Sequence, residues 1–77
     1  GPMVALTDEN SGSDGDIYGV TRRDVFKLDV STDRIHYLDQ PPIYDLYQII
    51  EGEPGVFYIG ARGHLLEYRL KETPHYR

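Results

Sequence analysis

Val25-Phe26-Lys27-Leu28-Asp29-Val30 alternates strictly, with Phe26, Leu28 and Val30 on one side and Lys27 and Asp29 on the other. A period of two places successive side chains on opposite faces of a strand and fits no helical stripe. Downstream, residues 64–70 (HLLEYRL) repeat the device, with Leu66, Tyr68 and Leu70 opposite Glu67 and Arg69. Around both anchors the chain is rich in β-branched and aromatic residues and is interrupted at short intervals by turn formers such as Ser31-Thr32-Asp33, Glu53-Pro54-Gly55 and Arg62-Gly63. The expectation is an all-β domain of about six short antiparallel strands over residues 17–21, 25–30, 34–38, 43–50, 56–61 and 64–70.

The fourth of these carries two signals. Ile43, Leu46, Tyr47 and Ile50 stand at i, i+3, i+4 and i+7, with Pro41-Pro42 before them and Gly52 after, which is the spacing of a helix near 43–51 with a start and a stop. Abundant Ile and Tyr, with little Ala, Lys or Glu, favour a strand. A helix there would make the fold α+β. A small barrel of the SH3-like or PH-like kind is a further all-β alternative.

Toward the N-terminus the texture changes. Gly1-Pro2 ahead of Met3 reads as the remnant of a removed tag. Residues 7–16 (TDENSGSDGD) contain no apolar side chain, so burial cannot offset their ordering entropy, and residues 1–16 are expected to form a flexible acidic arm. The β module is expected over 17–71, with a C-terminal tail at 72–77. Of the thirteen acids, four lie in the arm, where there is no base, leaving nine acids against eight bases in the rest. The net charge of −5 therefore belongs mostly to the arm. Bases elsewhere are interspersed with acids and do not make the clustered footprint of a nucleic-acid surface, so no nucleic-acid partner is expected. No apolar run approaches the length of a membrane span, and no membrane partner is expected.

There is no cysteine. Disulfides and thiolate sites are excluded, which agrees weakly with an intracellular origin. The three histidines, His36, His64 and His75, match no zinc spacing, and no metal or cofactor is expected. An EF-hand loop begun at Asp8 fails, because Gly12 and Ser13 occupy positions that need an oxygen ligand and a glycine. No nucleophile stands at a recognised spacing from a base, so no catalytic residue is assigned and the chain is not expected to be an enzyme.

Shifting the chain by 40 residues sets Ile17-Tyr18 on Phe57-Tyr58, Thr21-Arg22 on Ala61-Arg62, and Phe26, Leu28, Val30 on Leu66, Tyr68, Leu70. On these residues, IYGVTRRDVFKLDVSTDRIHYL (17–38) and PGVFYIGARGHLLEYRL (54–70) resemble β-propeller blade sequence of the kelch, quinoprotein-like or tectonin-like kind, amounting to about one and a half blades. The double glycine of kelch and the tryptophan of tectonin-type blades are missing. The resemblance implies that 17–21, 25–30 and 34–38 are the last three strands of one blade and that 43–50, 56–61 and 64–70 are the first three of the next. An incomplete ring leaves edges and faces open, so self-association or a protein partner is implied.

Seven tyrosines invite a search for a binding surface, since a ring with a polar tip can anchor an interface or stack on a sugar. Tyr18 with Arg22 and Tyr58 with Arg62 occupy equivalent positions under the shift and are the candidate ligand-binding pairs, with His64 beside them at a hairpin mouth. The expected function is a protein–protein interaction module, either a propeller-like fragment or a self-assembling subunit. The alternatives are a lectin-like module binding carbohydrate at the two pairs, or strands of a larger propeller enzyme.

Overall fold

The computed structural model describes residues 4–70; the tag remnant and the tail expected at 72–77 lie outside the described residues. Within them the chain is all-β, with seven antiparallel strands and no helix: β1 (Asp8–Ser11), β2 (Ile17–Val20), β3 (Val25–Asp29), β4 (Arg34–Asp39), β5 (Gln48–Glu51), β6 (Val56–Ala61) and β7 (His64–Arg69). They form two open meanders, β1-β2-β3-β4 and β5-β6-β7, and not the single closed barrel of the SH3-like or PH-like alternative.

Two expectations are corrected. The acidic arm holds a strand: Asp8–Ser11 pairs with β2, Asp8 opposite Val20 and Ser11 opposite Ile17. Asp and Asn are poor strand formers, but here their side chains have partners in the other sheet. Asp8 Oδ2 accepts from the Ile49 amide at 2.8 Å and Asn10 Oδ1 from the Glu51 amide at 3.3 Å, so polar side chains of one sheet satisfy backbone donors on the edge of the other. The folded module thus begins before residue 17. The second correction concerns the strand expected at 43–50, which is confined to Gln48–Glu51. The helix is absent because Asp45 lies at φ 60°, a left-handed conformation that cannot continue a right-handed turn. Leu46 is buried in the core, whereas Tyr47 and Ile50 of the supposed helical stripe are exposed.

The two sheets share one hydrogen-bonding register displaced by 40 residues. Asp8↔Val20, Asn10↔Tyr18 and Ser11↔Ile17 recur as Gln48↔Gly60, Ile50↔Tyr58 and Glu51↔Phe57. Ile17↔Leu28 and Tyr18↔Lys27 recur as Phe57↔Tyr68 and Tyr58↔Glu67. The turns correspond as well. Gly15 and Gly55 take φ 90° and 81°, and the Gly12 and Gly52 amides donate to the carbonyls of Asp16 and Val56. Only glycine adopts such a φ without strain, so a Gly-x-x-Gly step closes each first hairpin.

The core lies between the sheets. Tyr18, Val20 and Val25 of the first sheet meet Ile49, Phe57, Ile59 and Ala61 of the second, with Leu46 between, and Leu38, Leu66, Tyr68 and Leu70 pack around them. Tyr18 and Phe57 are stacked at 4.3 Å between ring centroids, tilted by 37°. The face that alternation singles out in β7 is therefore covered. Its counterpart in β3 is not: Phe26 and Leu28 are half-buried and Val30 is exposed, on the side of the first sheet away from the second.

Each Gly-x-x-Gly step places its first glycine beneath a tyrosine, where an added Cβ would lie 2.6 Å from Tyr18 Cε2 at Gly12 and 2.7 Å from Tyr58 Cε2 at Gly52. Tyr18 is buried against Phe57 and cannot yield, whereas Tyr58 is half-exposed. Gly12→Ala is expected to destabilise by about 1–3 kcal/mol through overpacking and Gly52→Ala by clearly less, as read from urea-unfolding midpoints of the two variants.

Candidate functional site

Where the two sheets meet at the β2–β3 and β6–β7 turns, the chain collects charge and aromatic surface. The link between β4 and β5 crosses this end, fixed by backbone bonds from Leu46 N to the Arg22 carbonyl and from Tyr47 N to the Gly60 carbonyl, both 2.9 Å. Thr7 Oγ1 lies 3.0 Å from the Val20 carbonyl and 2.9 Å from the Leu46 carbonyl, sharing its proton between the first sheet and the link. This frame holds Asp45 at the centre of the rim.

Asp45 receives two guanidiniums. Arg22 donates to Oδ1 from Nε at 3.2 Å and from Nη2 at 2.7 Å, and Arg62 Nη1 stands 3.6 Å from Oδ2. Hydrogen bonding from Arg22, partly opposed by desolvation and aided by the charges of Arg22 and Arg62, holds the Asp45 carboxyl below the usual aspartate range. Beside them the Arg23 guanidinium lies over the Tyr44 ring, 4.7 Å from its centroid, a cation–π arrangement. Arg22, Arg23, Tyr44 and Asp45 line one shallow hollow, and Arg22, Asp45, Tyr47 and Arg62 line its neighbour. Three arginines, one aspartate and two tyrosines more than half exposed thus share one rim.

The expected pairs are split by the structure. Arg22 and Arg62, equivalent under the 40-residue shift, converge on the same carboxylate. Tyr18 does not join Arg22 on a surface. It is fully buried, its hydroxyl donates to Asp14 Oδ2, and burial first and that bond second push its pKa well above the ordinary phenol value. That part of the expected site is corrected: β2 points Tyr18 into the sheet interface. Tyr58 faces the other way, half-exposed on the outer face of the second sheet, and His64 is exposed at the start of β7, two residues beyond Arg62. Tyr44, Tyr47, Arg23 and Asp45 were missed in the sequence. Asp45 sits in a segment with conflicting helix and strand signals, and no spacing connects it to two arginines in different sheets.

Three of the four carboxylates at 8–16, those of Asp8, Asp14 and Asp16, bond within the fold, and Glu51 of the second sheet reaches the same segment. Glu51, which ends β5, accepts from the amides of Ser13 at 2.7 Å and Gly55 at 3.0 Å and from the Ser13 hydroxyl at 3.1 Å. It thereby links the two equivalent turns, and the Gly55 bond first and the Ser13 bonds next, against some desolvation, lower its pKa. Asp14 is raised by burial, but the Tyr18 hydroxyl, the Asp16 amide and Lys27 outweigh this and leave its pKa lowered. Asp16 meets Lys27 at 3.1 Å. Among the described residues no three His, Cys, Asp or Glu side chains are grouped to hold a metal ion.

No family model, curated protein or solved structure matches the chain.

Because the Asp45 carboxyl is lowered in the folded state, its ionised form is the one that folding favours. Its contribution is present above the ordinary aspartate pKa of about 3.9 and is lost as pH falls through the lower folded value. Asp45→Asn keeps a residue that tolerates φ 60° and should shift the Arg22 Nε–H resonance at neutral pH as acidification shifts it in the parent. Asp45→Ala adds left-handed strain and should cost about 1 kcal/mol more than Asp45→Asn by urea unfolding.

Proposed function

We propose that this chain is a protein-binding module built from successive β-propeller-like blades, and that it recognises a short acidic peptide segment of its partner at the Arg22–Arg23–Arg62 rim. Support for the blade assignment comes from the register shared by the two sheets at a displacement of 40 residues, a period of blade length. Function rests on one observation: three guanidiniums and the exposed rings of Tyr44 and Tyr47 are gathered at one junction with a single carboxylate among them.

Arginine and tyrosine are the residue types that dominate binding energy at protein interfaces, because each combines a broad contact face with fixed hydrogen-bond geometry. Asp45 satisfies Arg22 in the free protein and holds its fork in place. A partner carboxylate entering beside it meets Arg62 at longer range and Arg23 over Tyr44. The net charge of −5 repels a long polyanion, so a partner with a few carboxylates next to apolar side chains fits better than nucleic acid. Carbohydrate binding at twin Tyr/Arg pairs draws less support, since Tyr18 is buried.

Fluorescence anisotropy with a labelled peptide of about ten residues, alternating Glu and Leu, tests the proposal. Arg62→Ala, Arg22→Ala and Tyr44→Ala should each weaken binding about fivefold or more, and raising the salt from about 20 to 200 mM should weaken it further. Arg34→Ala, on the exposed edge strand β4, should leave affinity unchanged. Equal losses in Arg34→Ala, or no saturation up to about millimolar protein, would sink the assignment.

A further inference from the structure

The 40-residue register assigns a partner to each face that the chain leaves open. In the first sheet Tyr18, Val20 and Val25 face inward and are covered by the second; the same register positions in the second sheet are Tyr58, Gly60 and Leu65. Those lie on its outer face, where Leu65 is 74% and Ile50 48% exposed and the Tyr47 ring lies over Gly60. Conversely Phe57, Leu66 and Tyr68 of the second sheet pack on the first, while their counterparts Ile17, Phe26 and Leu28 line an open apolar groove of about 310 Å³ with Leu6 and Ile35. The covering face and the covered face of the internal contact thus each recur, unpartnered, on the opposite side of the molecule.

We infer that the outer face of the second sheet, Tyr58 with Leu65 and Ile50, docks into the Ile17–Phe26–Leu28–Ile35 groove of a second copy of this chain, continuing head to tail the packing of one sheet on the other. The inference does not rest on the peptide proposed for the rim, although Tyr47 borders both surfaces. The internal interface sets the geometry: as Tyr18 stacks on Phe57, Tyr58 of one copy lies against Ile17 of the next. A second copy suits both faces simultaneously, because it carries both halves of the same contact. Such a contact is heterologous, so it does not close at two copies but adds further ones until a ring closes or a filament grows. Each sheet is three or four strands wide and four to six residues long. At about 4.8 Å per strand and 3.3 Å per residue its face covers roughly 300 Å². That is well below the roughly 800 Å² per partner of a stable complex, so association belongs to high protein concentration.

Sedimentation equilibrium of the full chain between about 10 µM and 1 mM provides the test. The weight-average mass should rise above the 8.8 kDa of one chain and pass that of a dimer without a plateau. Leu65→Asp alters only an exposed side chain, and Ile35→Lys blocks the groove; Leu6→Lys, at a residue 38% exposed, replaces Ile35→Lys if that variant loses its amide dispersion. Each variant alone should remain monomeric, since every contact needs one intact face of each kind. An equimolar mixture of the two should form a 1:1 dimer and grow no further, while peptide binding at the rim is kept. A monomeric parent at 1 mM, continued association of Leu65→Asp alone, or a mixture that stays monomeric overturns the inference.

Discussion

Tyr18 is packed on Phe57 and tied through its hydroxyl to Asp14, and much of the molecule is arranged around keeping that ring buried. An aromatic pair adds about 0.5–1.5 kcal/mol beyond the area it buries, a large share for a chain with so small a core. The phenol must keep a hydrogen bond once it leaves water, and Asp14 supplies it from the turn between β1 and β2. That turn is in turn held by Glu51, which accepts from Ser13 and Gly55 and binds the first hairpin of one sheet to the first hairpin of the other. The acidic segment at the N-terminus is thereby converted from a solvated stretch into part of the sheet interface.

The same interface explains why the molecule has a polar rim and two bare faces. Packing sheet on sheet through unlike faces buries one face of each and leaves the other of each in solvent. At the end where the link between β4 and β5 crosses, the backbone needs Asp45 in the left-handed region to bring Leu46 into the core. That geometry exposes the Asp45 carboxylate to arginines from both sheets. The cluster is a product of the crossing, and its aromatic neighbours Tyr44 and Tyr47 flank the residue that makes the turn.

Sequence pattern and structure agree most closely where the alternation is strict. β6 runs over the expected residues 56–61, and β3 and β7 fall within one residue of 25–30 and 64–70. They diverge where side-chain chemistry overrides propensity. Asp8–Ser11 has no apolar residue to mark it, yet a usable signal existed: Gly12 and Gly15 stand 40 residues before Gly52 and Gly55, so extending the shift backwards sets residues 8–11 on β5. At 43–50 the helical spacing is a coincidence of composition: of Ile43, Leu46, Tyr47 and Ile50 only Leu46 is fully buried, Tyr47 and Ile50 are exposed, and the second core residue, Ile49, stands outside that stripe on a short strand.

What the sequence determined by itself was the positions of the strictly alternating strands and with them a preference for the all-β class, because a period of two and the placement of turn residues are local properties of the chain; the choice between helix and strand near 43–51 was left to the tertiary structure. Which face of each strand is covered was decided only by the tertiary structure. Phe26 with Leu28 and Leu66 with Tyr68 have the same local pattern, and one set is open while the other is packed. The bringing together of Arg22 and Arg62 on Asp45 was likewise decided there. Alternation states that a face is apolar and carries no information about what lies opposite it, and an ion triad drawn from three distant turns exists only once the sheets have met.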